Sequence, residues 1–464
     1  MPSPRIALPS TSGWDELRAQ LAIPTGFPAD VLAEAERAAA HPRMPELDLT
    51  DVPFLTIDPV GSTDLDQALA LSTSGDGYRV QYAIADVAAF VVPGGAVDLE
   101  AHRRGETLYA PDQRTPLHPP VLSEGAASLL PEQTRPALVW QLDLDPTGEL
   151  VTTQVRRAAV RSRRRLDYGV VQTAMDDGSA SPDLQLLRTV GQLRERLARG
   201  RGAVDLPTPE QEVEADGSIR YRAQLPSERW NAQISLLTGI AAAGLMLTGG
   251  IGLLRTLPPP DAEAVASLRR SALALGIAWP ESTAYGDVIS ALDPAQPQAA
   301  ALLVLSTRLL RGAAYTAFDG ALPAQTEHSA VAATYAHCTA PLRRLADRYV
   351  GEVCLALCAG RGVPDWAREA LPLLPAEMAA ADKKAHELDR AIVDLAEARV
   401  LAPHVGAAFD GVVTEAGSRG GTVQLVDPAV RGKVDGVDLP LGQRVRVVLE
   451  QADPATRTVR FRLA

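Results

Sequence analysis

The stretch Thr56-Ile57-Asp58-Pro59-Val60-Gly61-Ser62-Thr63-Asp64-Leu65-Asp66-Gln67 constrains this chain more than any other. It gathers three carboxylates, Asp58, Asp64 and Asp66, within nine residues, and apolar residues border them at 54–57 and 68–71. Like charges this close repel unless positive charge sits among them, and an oxygen-only donor set suits a hard divalent cation such as Mg²⁺, with Mn²⁺ as a substitute. Asp, Pro, Gly, Ser and Thr also make ordinary surface turns, so spacing alone leaves both readings open.

At 464 residues the chain is too long for one ordinary core and suggests about three domains. Its 46% hydrophobic and 22% charged residues are those of a folded protein rather than a disordered one. A net charge of -12 argues against a surface coated in positive charge to grip nucleic acid, but leaves room for a local basic channel beside an acidic metal site. Three cysteines, Cys338, Cys354 and Cys358, form no even disulfide set, and the N-terminus lacks the basic-then-apolar order of a secretory signal. A cytoplasmic protein is expected. His337 and Cys338 with the Cys354/Cys358 pair read as buried packing rather than a zinc site, because structural zinc needs turns that converge four ligands. Residues 233–254 carry no charge and are long enough to span a bilayer. Ile234, Leu237, Ala241 and Leu245 nevertheless recur at helical spacing, which predicts a buried helix ending near Gly249-Gly250 and no membrane association.

In chain order, residues 1–48 hold two short helical patterns, about 14–21 with Thr11-Ser12 as caps and about 28–40, separated by Ile23-Pro24-Thr25-Gly26. They predict a small helical domain of helix-turn-helix type. Residues 78–92 read as a buried strand and 98–104 as a short helix. Residues 139–144 and 149–160 read as a strand pair across the Asp145-Pro146-Thr147-Gly148 turn. Six arginines, at 156, 157, 161, 163, 164 and 165, make the one dense basic patch, either a solvated face or a phosphate track. From Pro182 onward helical patterns dominate, at about 182–200, 230–248, 261–275, 297–313, 340–359 and 376–401. The tail breaks into five short strand candidates at 409–414, 422–426, 432–434, 444–450 and 458–463, as a small oligonucleotide-binding barrel would.

A second motif, Thr334-Tyr335-Ala336-His337-Cys338-Thr339-Ala340-Pro341-Leu342-Arg343-Arg344-Leu345-Ala346-Asp347, predicts a helix opening near Pro341, with Arg343 and Arg344 at its positive end. Carboxylates for a metal and arginines for a phosphate are the parts of a phosphoryl-transfer site.

Together the two motifs resemble those of the ribonuclease II family of exoribonucleases. Asp58 to Gln67 is similar to its Asp-x5-Asp-x-Asp-Asp pattern and residues 334–347 to its Thr-Ser-Pro-Ile-Arg-Arg-Tyr-x-Asp element. The segments 83–87, 105–111, 122–125 and 202–206 agree in order between them, and residues 409–414, 432–434 and 441–445 resemble the S1 domain that follows this module. The resemblance implies an α+β architecture: a helical domain over 1–48, a ribonuclease II-like catalytic domain with mixed or antiparallel sheet packed by helices over 49–402, and an S1 oligonucleotide-binding barrel over 403–464. It implies a monomeric, Mg²⁺-dependent, processive 3′-to-5′ exoribonuclease that turns single-stranded RNA into nucleoside 5′-monophosphates with no obligate protein partner.

Carried over residue by residue, Asp58 and Asp66 would hold the metal, with Gln67 at a further ligand position and Asp64 in support. Arg343 would contact the scissile phosphate with Arg344 beside it, while Tyr109 and Tyr168 would stack on bases. The chain departs from the family twice. Gln67 stands where a fourth aspartate is expected, and the run 231–237 lacks the acids of a Glu-Glu-Phe-Met-like element. A non-catalytic RNA-binding protein on the same fold is therefore the alternative, and a metal-dependent phosphatase or deoxyribonuclease a more distant one.

Overall fold

The computed structural model describes residues 13–206, 210–214, 216–425 and 427–464. Its frame is a pair of closed five-stranded barrels. The first takes its strands from Phe54–Asp58, Gln67–Ser74, Gly77–Ala85, Thr134–Leu144 and Leu150–Asp167. Neighbours run antiparallel in that order, and the first and last strands close the ring in parallel, with Thr56 opposite Arg165 and Asp58 opposite Asp167. The expected mixed sheet is thus curled onto itself.

Side chains alternate across a strand, and here both faces are covered. Tyr82, Ile84, Trp140 and Leu142 enter one core together with the helices, whereas Ala83, Ala85, Val139 and Val160 enter a second on the opposite face. That explains the nearly unbroken apolar runs in these strands. The turn joining the last two strands is the predicted one: Gly148 takes φ +89° and donates to the Asp145 carbonyl at 3.0 Å. Between the third and fourth strands the chain leaves the barrel for a long excursion, comprising the helix Ala96–Arg104, a hairpin of Leu108–Tyr109 with Arg114–Thr115, and a turn of π-helix at Val121–Ala126.

Helices Pro182–Gly200, Pro226–Gly249, Leu345–Cys358 and Leu374–Leu401 pack on the first core or line its edge. The helix Pro226–Gly249, uncharged from 230 onward, is long and apolar enough to cross a membrane. Its Ile234, Leu237, Ala242 and Met246 are fully buried in protein, and it stops at Gly250, which takes the left-handed φ of +70°. Cys338 and Cys354 lie in the same core.

Three expectations in this half are corrected. Ile251–Thr256 and Ala314–Asp319 form an antiparallel strand pair, two strands in a half that the sequence reads as helical patterns alone, because Ile251 continues the apolar run of the preceding helix and a short apolar run carries no period of its own. The helix expected over 297–313 ends at Ser306, followed by a 3-10 turn to Leu310. The helix of the second motif begins at Leu345 rather than near Pro341, so Arg343 and Arg344 precede it in a turn.

The helical unit at the front is also corrected. Helices Gly13–Gln20 and Ala29–Ala40 exist, but their buried residues do not share a core. Trp14, Leu17 and Ile23 pack on Leu388, Ile392 and Leu395 of the long helix, while Val31 and Ala35 join the outer face of the first barrel. Each stripe finds a larger surface than the other short helix offers. Thr11 and Ser12, the expected caps, lie outside the described residues.

The second barrel contains all five expected strands, Ala408–Gly417, Gly420–Leu425, Arg431–Asp435, Arg444–Asp453 and Thr458–Leu463, and is closed by a parallel pair of the third and fifth; Val426 of the expected second strand is outside the described residues. Ala398 and Leu401 of the long helix enter its core, which joins it to the rest of the chain.

Candidate active site

The acidic stretch leaves the first barrel at Asp58 and returns at Gln67. What shapes it is Leu65, fully buried in the outer core between Asp64 and Asp66. Ser128 fastens the loop from the excursion side: its Oγ accepts from Leu65 N at 2.9 Å and donates to the Thr63 carbonyl at 2.7 Å. Burying one leucine is worth about 1.5–3 kcal/mol, enough to hold two carboxylates on the flanks of a fixed point.

The two motifs meet here. Asp66 is 3% exposed; its Oδ1 accepts from Leu342 N at 2.7 Å, across 276 positions of sequence, and its Oδ2 lies 3.7 Å from Arg343 Nε. Gln67 Nε2 donates to the Thr339 carbonyl at 2.6 Å, a second clasp between the motifs. Thr107 N donates to the Arg343 carbonyl at 2.9 Å, so the excursion supports the second motif as well as the first. On the far side the second motif lies against the uncharged helix, where Ala336 N donates to the Gly239 carbonyl at 3.1 Å; a Cβ at Gly239 would stand 2.2 Å from the Tyr335 ring.

Burial leaves these acids short of positive charge. Burial, then the neighbouring Asp64, push Asp58 up to about 7, against the pull of Arg165 and Arg343. Its Oδ2 is buried without a hydrogen-bond partner. Burial raises Asp66 well above the usual carboxylate range despite Arg343. Asp64 is also raised by burial, with Arg114 opposing. An orphaned carboxylate oxygen and a second buried carboxylate, both all-oxygen donors, fit a hard cation at Asp58 and Asp66.

The other two expected positions are engaged elsewhere. Asp64 is ion-paired with Arg114, and the Gln67 amide nitrogen is committed to Thr339. Among the described residues, no three acid, His or Cys side chains converge as a ready-made ligand cage.

The aromatic and basic positions divide. Tyr109 is 47% exposed beside the site, within electrostatic reach of Arg343, Asp64 and Asp66. Tyr168 lies on the Asp58 side; burial pushes its phenol up to about 12, and its hydroxyl accepts from Asn231 Nδ2 at 3.3 Å. The Arg343 side chain is 40% exposed. Arg344, expected to contact RNA, is instead occupied internally: its Nε and Nη2 grip both oxygens of Asp347 at 3.0 and 2.9 Å, and its side chain is only 15% exposed.

The six-arginine run is likewise divided among separate partners along its strand, whose register shifts between Ser162 and Arg164. Arg157 pairs with Asp86 and Glu352, Arg164 with Asp183, and Arg165 remains near Asp58. It is not one phosphate track. Where the family run carries acids, Ser235 Oγ meets the buried Tyr82 hydroxyl at 2.9 Å. Arg114 and Ser128 escape sequence reading because neither belongs to a recognisable motif, and only folding brings each to the acids.

A family model for the RNB domain matches residues 46–358, and one for the RNase II-type exonuclease C-terminal S1 domain matches 407–464. The chain belongs to the RNB family. Ribonuclease R of Vibrio cholerae is 27% identical over 91% of this chain and 56% of its own length. This RNB chain spans about half the length of the curated relatives it matches. Mycoplasma genitalium RNase R, solved both without ligand and with ribose-methylated single-stranded RNA, superimposes with a TM-score of 0.87 at 20% identity, covering 97% of this chain and 78% of that one. Yeast Ssd1, described as a pseudonuclease, superimposes at 0.67 and 17% identity over 89% of this chain and 55% of its own. The RNB architecture is thus shared by a nuclease and a pseudonuclease, and the site must discriminate.

Proposed function

We propose that this RNB chain is a cytoplasmic, Mg²⁺-dependent exoribonuclease that acts processively from the 3′ end of single-stranded RNA and releases nucleoside 5′-monophosphates. The observation that carries it is the meeting of buried Asp66 with the Leu342 amide and the Arg343 guanidinium. Asp58 and Asp66 would hold Mg²⁺, or Mn²⁺ in its place. When bound, the ion supplies acidified water and neutralises phosphate oxygens.

The chain's own groups do the rest. Arg343, partly exposed beside Asp66, offers a planar fork of donors to the scissile phosphate and stabilises the charge that grows on it. Its proximity to Asp66 fixes where that fork points. Tyr109 presents an open ring on which a base can stack whatever its identity, and Tyr168, steadied by Asn231, bounds the other side. Gln67 clasps the two motifs through its amide nitrogen, and its neutral amide oxygen stays a donor in addition to the two carboxylates that would hold the ion. The second barrel adds a surface groove where Phe409, Arg444 and Arg446 stand with Asp410 and Asp427, and its ring and two guanidinium groups would meet the RNA that trails out of the site.

The test is a 5′-labelled single-stranded RNA incubated with Mg²⁺ or Mn²⁺. Stepwise shortening to a residual oligonucleotide with release of 5′-monophosphates, stopped by EDTA, is expected; no shortening with either metal overturns the reading. The pairing of Asp64 with Arg114 and the presence of Gln67 favour one alternative, an RNA-binding protein without hydrolysis. Tight RNA binding that Asp66→Asn leaves unchanged, with no product, would establish it.

A further inference from the structure

The hairpin that carries Tyr109 has only two residues in each strand, too few to hold itself in water. It is anchored at both ends by charged groups that the chemistry above does not use. At the near end Arg114 reaches the acidic stretch: its guanidinium pairs with Asp64, donates to Thr63 Oγ1, and places Nε 3.1 Å from Glu124 Oε1.

At the far end the turn residue Asp112 accepts from Arg18 through both oxygens, at 2.8 and 2.9 Å. Arg18 is 3% exposed, and Gln113, with its amide oxygen turned inward, accepts from Arg18 Nε at 3.0 Å. Arg18 belongs to the helix Gly13–Gln20, whose Trp14 and Leu17 lie in one apolar cluster with Leu108 of the hairpin and with Leu388 and Leu395 of the long helix.

We propose that Arg18 is a positioning residue for Tyr109, acting through Asp112, so that the first helix is a strut of the RNA cleft and not a separate nucleic-acid-binding unit. The strut runs from the long helix through Trp14 to Arg18, across to Asp112, and along the hairpin to Arg114 and the acidic stretch. Tyr109 stands on this span, half exposed, beside Leu108, which the same first helix holds in the apolar cluster. Arg18 Nη2 also pairs with Asp15 of its own helix at 2.5 Å, so the arginine stays in place when Asp112 is changed and what is lost is its grip on the hairpin turn.

The inference rests on the reading that Tyr109 stacks on RNA, and it is tested without hydrolysis. Binding of a 5′-fluorescein single-stranded RNA to the full chain is followed by anisotropy in EDTA, for Arg18→Gln, Asp112→Asn, Tyr109→Ala and the doubles with Tyr109→Ala. Each single change is expected to raise Kd about tenfold, the scale of one lost stacking contact. Each double should bind no worse than Tyr109→Ala alone, because all three remove the same contact. The exchanged pair Arg18→Asp with Asp112→Arg should recover affinity.

Additive losses in the doubles, or an unchanged Kd in folded Asp112→Asn, overturn the proposal. Asp112 lies on the hairpin turn, outside the helix, so that variant remains informative if Arg18→Gln loosens the helix itself. A chain that fails to hydrolyse RNA but shows the coupling refutes the exoribonuclease reading and leaves the strut standing; hydrolysis without coupling does the reverse.

Discussion

The two barrels close in the same way, five strands with one parallel pair, yet they treat charge in opposite ways. In the second, Val413, Val423, Val434, Val447 and Phe461 fill an apolar core, and Arg446, Arg460 and Arg462 pair with acids on the solvent side. In the first, buried carboxylates stand at the strand ends under a long excursion that supplies Ser128, Arg114 and Tyr109. A barrel with short connections leaves its charges in water, where pairing is worth little. One with an inserted cap can desolvate them, and desolvated charge is what a hydrolytic site needs.

The sharpest way to break this contrast is Asp66→Asn. Hydrolysis should fall by about a thousandfold or more, the scale of removing one preorganised charged group. The melting temperature should hold or rise, because the amide still accepts from Leu342 N while a carboxylate disfavoured by burial is gone. Asp435→Asn, on the exposed side of the second barrel, should change neither rate nor melting. Equal effects of the two would refute the distinction.

Phe461→Ala tests the apolar barrel. Its ring is fully buried, so the cost should be about 3–5 kcal/mol. The expected thermal trace has an early transition for the second barrel, with cleavage of short oligonucleotides retained.

The junction between the barrels should respond to pH. Glu397, 5% exposed, accepts from Gln211 Nε2 and Arg431 N, both at 2.7 Å, and burial pushes its carboxyl up to about 7. An acid whose folded value is raised binds more protons folded than unfolded between about 4.5 and 7, so stability is full below that window and is lost as pH rises through it. Glu397→Gln keeps the acceptor and removes the titration. Its stability advantage over the wild type should be absent near pH 4.5 and reach on the order of 2 kcal/mol by pH 8, read from urea midpoints at the two pH values.

The smallest effect is expected on the outer face of the second barrel. Arg444→Gln with Arg446→Gln should weaken RNA binding and lower the salt slope of log Kd by about one to two, with kcat unchanged.

Much of this was legible along the chain. Five short strands broken by Gly, Asp and Pro predict the second barrel because all of them lie within one uninterrupted stretch of the tail, with no long excursion between paired strands. The acids and Arg343 were legible as chemistry because their residue types carry it wherever they stand. Closure of the first barrel was not, since the pair that closes it joins the two ends of a series interrupted by the excursion. Nor were the partners of the charges. Arg343 and Arg344 are identical in type and adjacent, yet one stays 40% exposed beside Asp66 and the other grips Asp347. Asp64 and Asp66 differ by two positions, yet one meets Arg114 and the other the Leu342 amide. Sequence determined which groups this protein can use; burial and distance, which exist only once remote segments are packed together, decided which acids are paired, as Asp64 is, and which keep a buried oxygen without a partner, as Asp58 does.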